Sequence, residues 1–388
     1  MKKILLLIVV LIVLAVAAAF IFAPAIVDDS RNGVTEHAPY SVSPKAQALH
    51  DSLVVGDWHA DSLLWNRDLT KHNKIGHVDI PRMQQGNLGL QVFTTVTKSP
   101  IGQNLHSNET GTSDNITKLA LIQRWPVSTW TSLNARAVHQ AKKLHSLANK
   151  NADDLMIIKS KKDLNVWQLK RKITPRFIGA ILGTEGSHAL DGDLGNIKRL
   201  YQQGFRLMSL HHFFDNKLGA SLHGATHSGL SDFGKQAVKE IDELNIILDV
   251  SHSSIDVVED VLSLSSRPLV VSHTGFKGHC DTARNIPDSV MQKIAAKGGL
   301  IAVGFWQAAV CGRHPNDIAG AIKYGINLIG EDHVTLGSDF DGSVTTGVDA
   351  SELAAITQAL LDANVSEVQI RKVMGGNMLR FLNQNLPD

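Results

Sequence analysis

Residues 245–276 read NIILDVSHSSIDVVEDVLSLSSRPLVVSHTGF. Two short apolar runs, IILDV and PLVVS, each end in a Ser-His pair. Between them Ile255, Val258, Val261 and Leu262 recur at helical spacing behind Ser253 and Ser254, residues suited to capping a helix. The pattern is a βαβ unit. His252 and His273 stand where the two strands run out, and in a parallel α/β sheet or barrel that edge carries the chemistry. One strand-end histidine often does no more than bond a neighbouring carbonyl. Two placed alike in succession point to a site.

Working outward, apolar runs recur at VVGDWHAD (54–61), GLQVFTTV (89–96), FIGAILGTEG (177–186), FRLMSLHH (205–212), GLIAVGFW (299–306) and HVTLGSDFDG (333–342). With the first two this makes eight, the number that closes an α/β barrel of the (β/α)8 TIM type. Helical segments fill most gaps, among them SDFGKQAVKEIDEL and IPDSVMQKIAAKG, the latter with Pro near its start and Gly at its end. The gap over 98–175 exceeds one crossover. Its polar first part, SPIGQNLHSNETGTSDN, reads as an excursion over the barrel mouth, and its second part holds a helix near 132–149 and a short strand at LMIIKS.

Polar residues gather at the carboxyl ends of these runs: His59 and Asp61 on the first, Glu185 on the third, His211 and His212 on the fourth, His252 and His273 on the next two, Asp339 and Asp341 on the eighth. His59 and Asp61 alternate along an extended chain and so share a face. Glu185 and Asp339 also suit ordinary capping positions, so their weight comes from the company they keep. Convergence of several strand ends on one rim is the pattern of a metal-dependent hydrolase.

Composition narrows the classes further. The chain has 388 residues, 43% of them hydrophobic, enough for a large core. Its 38 basic and 37 acidic residues leave no electrostatic footprint for a nucleic-acid partner. Eighteen histidines fit a metal site, although His72, His77, His106, His139 and His314 lie in segments that read as loop or helix surface. Cys280 and Cys311 either pair once or stay free, and cannot make a cysteine-rich zinc site.

Lys2 and Lys3 precede an apolar run over 4–27, longer than the ~20 residues that cross a bilayer. The expectation is an amino-terminal transmembrane anchor over 1–27 and a polar tether over 28–43. The barrel domain then occupies 44–388 on the non-cytoplasmic side, periplasmic or extracellular. Cleavage at AVAAA or APA would instead make 1–27 a signal and release the domain. The polar carboxyl end, RFLNQNLPD, speaks against a lipid attached there.

DWHADSLLW, HVDIPRMQQGNLGLQVF, ILGTEGSHAL, GLSDFGKQAVKEIDELNIILDVSHSS, VVSHTGFKGHCDTARNIPD and LGSDFDG occur in that order. Together they resemble the membrane dipeptidase (renal dipeptidase) family of amidohydrolase barrels. The resemblance implies a metallo-dipeptidase with two Zn2+ per chain, cleaving small dipeptides, those with a C-terminal D-residue included, by a metal-bridged hydroxide. It assigns His59 and Asp61 to one zinc, His252 and His273 to the other, and Glu185 to both. Asp339 becomes the proton shuttle, with Asp341 the alternative if the register is displaced. His212 stabilises the oxyanion, and Arg284, in DTARN, clamps the substrate carboxylate. Pairing of barrels as homodimers is left open.

Departures from the family are local. HHFFDNKLGASLHG replaces a more usual Thr-His followed by Asn and Trp, and the 98–115 excursion has no counterpart. His188, His211, His223, His227 and His279 read as structural or loop histidines, His223 and His227 in a Gly-rich loop that borders the pocket. Two other readings compete: an amidohydrolase acting on N-acyl amino acids or lactams, which Arg284 also suits, and a membrane-tethered barrel without catalysis. The full complement of metal-ligating residue types argues against the latter.

Overall fold

The computed structural model describes residues 2–388, apart from the side chains of Val16 and Ala19. Eight parallel strands form the barrel: β1 (Val55–Ala60), β2 (Leu88–Phe93), β3 (Ile178–Thr184), β4 (Phe205–Ser209), β5 (Ile247–Asp249), β6 (Val270–Thr274), β7 (Leu300–Val303) and β8 (Val334–Leu336). Each pairs with the next in sequence, and β8 closes on β1 through Leu336 and Asp57. Every residue of these strands is buried. That explains the near-continuous apolar runs, since helices cover the outer face and side chains fill the inner one. All eight expected strands are present.

The βαβ unit forms as the spacing requires. Ser254 caps the helix Ile255–Leu264 by accepting from Val257 N, and Val257, Val258, Val261 and Leu262 bury its inner face. Just past β8 a Cβ on Gly337 would lie 1.9 Å from the Ser272 carbonyl of β6, so only glycine fits at that close approach.

The 98–175 excursion contains helix α2 (Asn115–Ile122), a 3-10 turn at Val127–Trp130 and helix α3 (Leu133–Lys150). The short strand Leu155–Ile157 pairs with the start of β3. Cys280 and Cys311 form a disulfide, which ties the loop after β6 to the loop after β7.

The amino-terminal helix, α1 (Lys2–Arg31), is long and apolar enough to cross a bilayer by length and composition. It continues past the expected boundary at 27, and the stretch 28–43, expected as a polar tether, is fitted to the barrel as a strap. Asp28 is buried and meets Arg67 Nε at 2.8 Å. Gly33–Val34 pairs in parallel with Thr345–Thr346, and Tyr40 Oη donates to the Gly347 carbonyl at 2.6 Å. Polar composition cannot tell a solvated spacer from a segment that spends its polar groups on its own domain.

Candidate metal centre

The carboxyl ends of the strands open into a cavity of about 550 Å³ lined by Glu185, His212, His252, Arg284, Trp306 and Asp339. Glu185, just past β3, lies at the centre. Its Oε1 is 3.5 Å from His59 Nε2, 3.2 Å from His252 Nε2 and 3.4 Å from His273 Nε2, and its Oε2 is 3.4 Å from His212 Nε2. Donors about 2.1 Å from a tetrahedral cation lie ~3.4 Å apart, so these spacings suit a coordination shell. Two clusters result: His59, Glu185, His273 and Asp339, and Glu185, His212 and His252. Glu185 belongs to both. His59 Nε2 is also 3.6 Å from Asp61 Oδ1. These clusters group His273 with His59 and His252 with His212, a different partition from the pairing the resemblance implies.

A polar floor beneath the centre fixes the rings. Ser272 Oγ donates to Asp249 Oδ2 at 2.6 Å, and a hydroxyl has one proton to give. His59 Nδ1, at 3.2 Å, and His273 Nδ1, at 2.9 Å, must therefore donate to that same oxygen. In the neutral rings this leaves both Nε2 lone pairs facing Glu185, the tautomer a metal ligand needs. Thr94 Oγ1 donates to Asp61 Oδ1 at 2.6 Å and orients that carboxylate.

Burial shifts most of the donor set towards its neutral forms. Burial pushes Glu185 well above the usual carboxylate range, helped by Asp61 and Asp339. Burial also pushes Asp339 up to about 8. His252 and His273 are held well below the ordinary histidine value, first by burial and then by neighbouring cationic groups. His59 is the exception: burial lowers it, but Asp61 and Asp339 outweigh burial and raise it. Converging lone pairs and crowded carboxylates fit divalent cations, which would ionise the acids and satisfy the rings together.

Asp339 and Asp341 part company. Residues 339 and 341 have φ of 62° and 63°, and this left-handed backbone breaks the alternation that would aim both side chains one way. Asp339 Oδ1 lies 3.9 Å from His59 Nε2 at the cavity wall. Asp341 turns away, accepts from Ser62 Oγ and His77 N at 2.5 and 2.7 Å, and forms an ion pair with Arg67 Nη2 at 2.8 Å. His77, expected at a surface, is fully buried in this network; its Nδ1 accepts from Asp341 N and its Nε2 donates to the Gly33 carbonyl.

His212 Nδ1 lies 3.0 Å from the Lys98 carbonyl, which only accepts, so Nδ1 carries the proton and the neutral ring offers Nε2 as an acceptor. Donation to an oxyanion requires the doubly protonated ring, and burial pushes its pKa down to about 4. Arg284 is buried, donates from Nη1 to the Ser251 carbonyl at 2.9 Å and from Nη2 to the His273 carbonyl, and packs on Trp306. Burial lowers it to about 10, so it stays cationic at neutral pH. His211 turns to Ser253 Oγ at 3.0 Å.

The excursion does cover the mouth: Gln103, Asn104 and Leu105 line the cavity. His223 is buried behind them, stacked on Phe213 and bonded through Nδ1 to the Leu105 carbonyl. Sequence reasoning missed Asp249, Ser272 and Thr94. The aspartate in IILDVSHSS was the available signal, a carboxylate inside a strand otherwise apolar.

The sequence profile of the membrane dipeptidase family (Peptidase family M19) matches residues 43–386. A curated relative, dipeptidase aclJ from Aspergillus oryzae, is 29% identical over 366 residues, covering 88% of this chain and 80% of its own. Among solved structures, the probable dipeptidase PvdM from Pseudomonas aeruginosa is similar with a TM-score of 0.72 at 19% identity, over 88% of this chain and 98% of that one. A metallo peptidase from Rhodobacter sphaeroides, liganded with a phosphinate mimic of L-Ala-D-Ala, gives 0.71 at 22% identity, over 86% and 99%. The two structures share the barrel.

Proposed function

The chain belongs to the membrane dipeptidase family and is a peptide hydrolase, and from that premise we propose that it is a two-zinc dipeptidase held at a membrane by α1, its barrel on the non-cytoplasmic side. One observation carries the reading: Glu185 Oε1 lies within 3.5 Å of three histidine Nε2 atoms at the floor of a cavity that also holds a buried, cationic Arg284.

His59, Asp61, His252 and His273 would hold the metals and Glu185 would bridge them. Bound zinc supplies Lewis-acid polarisation of the scissile carbonyl and acidifies the attacking water. The chain's own residues do the rest. Arg284 fixes the substrate's terminal carboxylate by charge-assisted hydrogen bonds, and a fixed cation there leaves room for one residue beyond the cut. Asp339 lies beside the centre, takes the water's proton and returns it to the leaving amine. His212 in its neutral form accepts at Nε2 from a substrate N–H and steadies the substrate from the excursion side. The Rhodobacter neighbour's ligand supports including dipeptides with a C-terminal D-residue among the substrates.

The test is metal analysis of the purified protein together with hydrolysis of L,L and L,D dipeptides, before and after chelation and zinc reloading. Two zincs and chelator-sensitive cleavage are expected. Cleavage that persists in metal-free protein would overturn the reading.

A further inference from the structure

We propose that the mouth of the barrel faces the bilayer at close range, with the segment 101–130 in the interfacial layer; this rests on reading α1 as a membrane anchor. Three observations fix the geometry.

The anchor is fastened to the rim of the catalytic cavity. Asn32 Oδ1 accepts from Ser343 N at 2.9 Å, and Gly33–Val34 pairs with Thr345–Thr346, while Ser343 and Thr345 line the cavity. Along α1 the domain covers one face, burying Asp28 and Pro24 and half-covering Val27, while Ile26, Phe22 and Ile21 are bare. Eight residue steps along the helix carry the chain from Asn32 to Pro24, a rise of ~12 Å, so α1 leaves the domain about that far along its axis from the rim.

The anchor's base also packs on the excursion. Val27 packs against the apolar cluster that includes Leu64, Trp65, Ile116 and Leu119, with α2 alongside α1. The groove between them shares Gln103 and Ser343 with the catalytic cavity, so mouth and anchor base are continuous.

Finally, the exposed large apolar side chains outside α1 fall mainly into two sets. Ile101, Leu121, Val127 and Trp130 lie in the first part of the excursion, which holds α2; Val166, Leu169 and Ile173 lie on the helix Lys161–Ile173, which leads into the start of β3 at the opposite end of the barrel. The helix exits beside the first set. Trp130 suits the headgroup boundary, and the exposed Lys118 and Arg124 suit anionic headgroups. A dipeptide would therefore reach the site along the bilayer surface.

The test reconstitutes the full chain in phosphatidylcholine–phosphatidylglycerol vesicles containing doxyl-labelled lipid, with an environment-sensitive fluorophore on Val127→Cys or, separately, on Ile173→Cys. Ile101→Cys serves as a second reporter. Quenching several-fold stronger at 127 and 101 than at 173 is expected. Equal quenching at both ends, in a chain that resists alkaline carbonate, overturns the orientation alone. Release of the chain by carbonate would refute the anchor itself, and the proposal with it.

Discussion

Replacing Asp341 by asparagine separates its role from that of Asp339 two residues earlier. Asp341 is fully buried, accepts from the donors of Ser62 and His77 and is ion-paired with Arg67. Asparagine keeps one oxygen and turns an N–H2 group towards at least one of those donors. Breaking a buried ion pair from one side costs ~3–5 kcal/mol. Arg67 retains Asp28 at 2.8 Å, which places the cost at the lower end. With an unfolding entropy of roughly 0.7 kcal/mol/K for a domain this size, about 3 kcal/mol lowers Tm by ~4 °C. Asp339→Asn should behave oppositely in metal-free protein. Its folded pKa of about 8 lies above the ordinary value, so between about pH 4 and 8 the folded state binds the proton more tightly and stability falls as pH rises. Asparagine removes that fall. Thermal melts in chelator at pH 5 and 7.5, with turnover measured after zinc reloading, make the assay. Asp341→Asn should melt lower at both pH values; Asp339→Asn should melt no lower, and higher at pH 7.5, while losing turnover by at least ~100-fold. An unchanged Tm for the first, or an equal loss for both, would refute the reasoning.

Glu185→Ala should empty both clusters together, because Glu185 belongs to each of them; full metal content by mass spectrometry would reject the shared ligand. For Arg284→Ala, kcat/KM on a dipeptide should fall about 10- to 100-fold, and on the corresponding dipeptide amide much less. An unchanged ratio between the two substrates would reject the clamp. Reducing Cys280–Cys311, 31 residues apart, should lower the unfolding free energy by ~3–4 kcal/mol, read as a lower melting temperature after thiol titration confirms reduction.

The barrel was legible because strand burial on both faces leaves a strong mark, and the strand-end histidines interrupt that mark at one edge. His59, Glu185, His252, His273 and Asp339 could be brought together from that edge alone. What escaped were contacts without local periodicity. Ser272 serves His59 from 213 positions away, and the Lys98 carbonyl that fixes the tautomer of His212 is 114 positions distant. Asp339 and Asp341 diverge through a left-handed turn that a DFDG string does not announce. The fitting of 28–43 onto the rim depended on Arg67, Gly347 and the 345–346 strand, none of them near in sequence.

The strap has a consequence for the order in which the molecule is made. Asn32 and its partner Ser343 are 311 positions apart, so a chain growing at 5–20 residues per second carries residues 32–34 unpaired for roughly 15–60 s. Closing so long a loop is entropically costly until the intervening strands have formed, which makes this pairing a late event. The turn bearing Asp339 is held between that pairing and β8. Hydrolytic competence thus arrives only with the last eighth of the chain, and a nascent chain stalled before that point carries the histidines but no finished mouth.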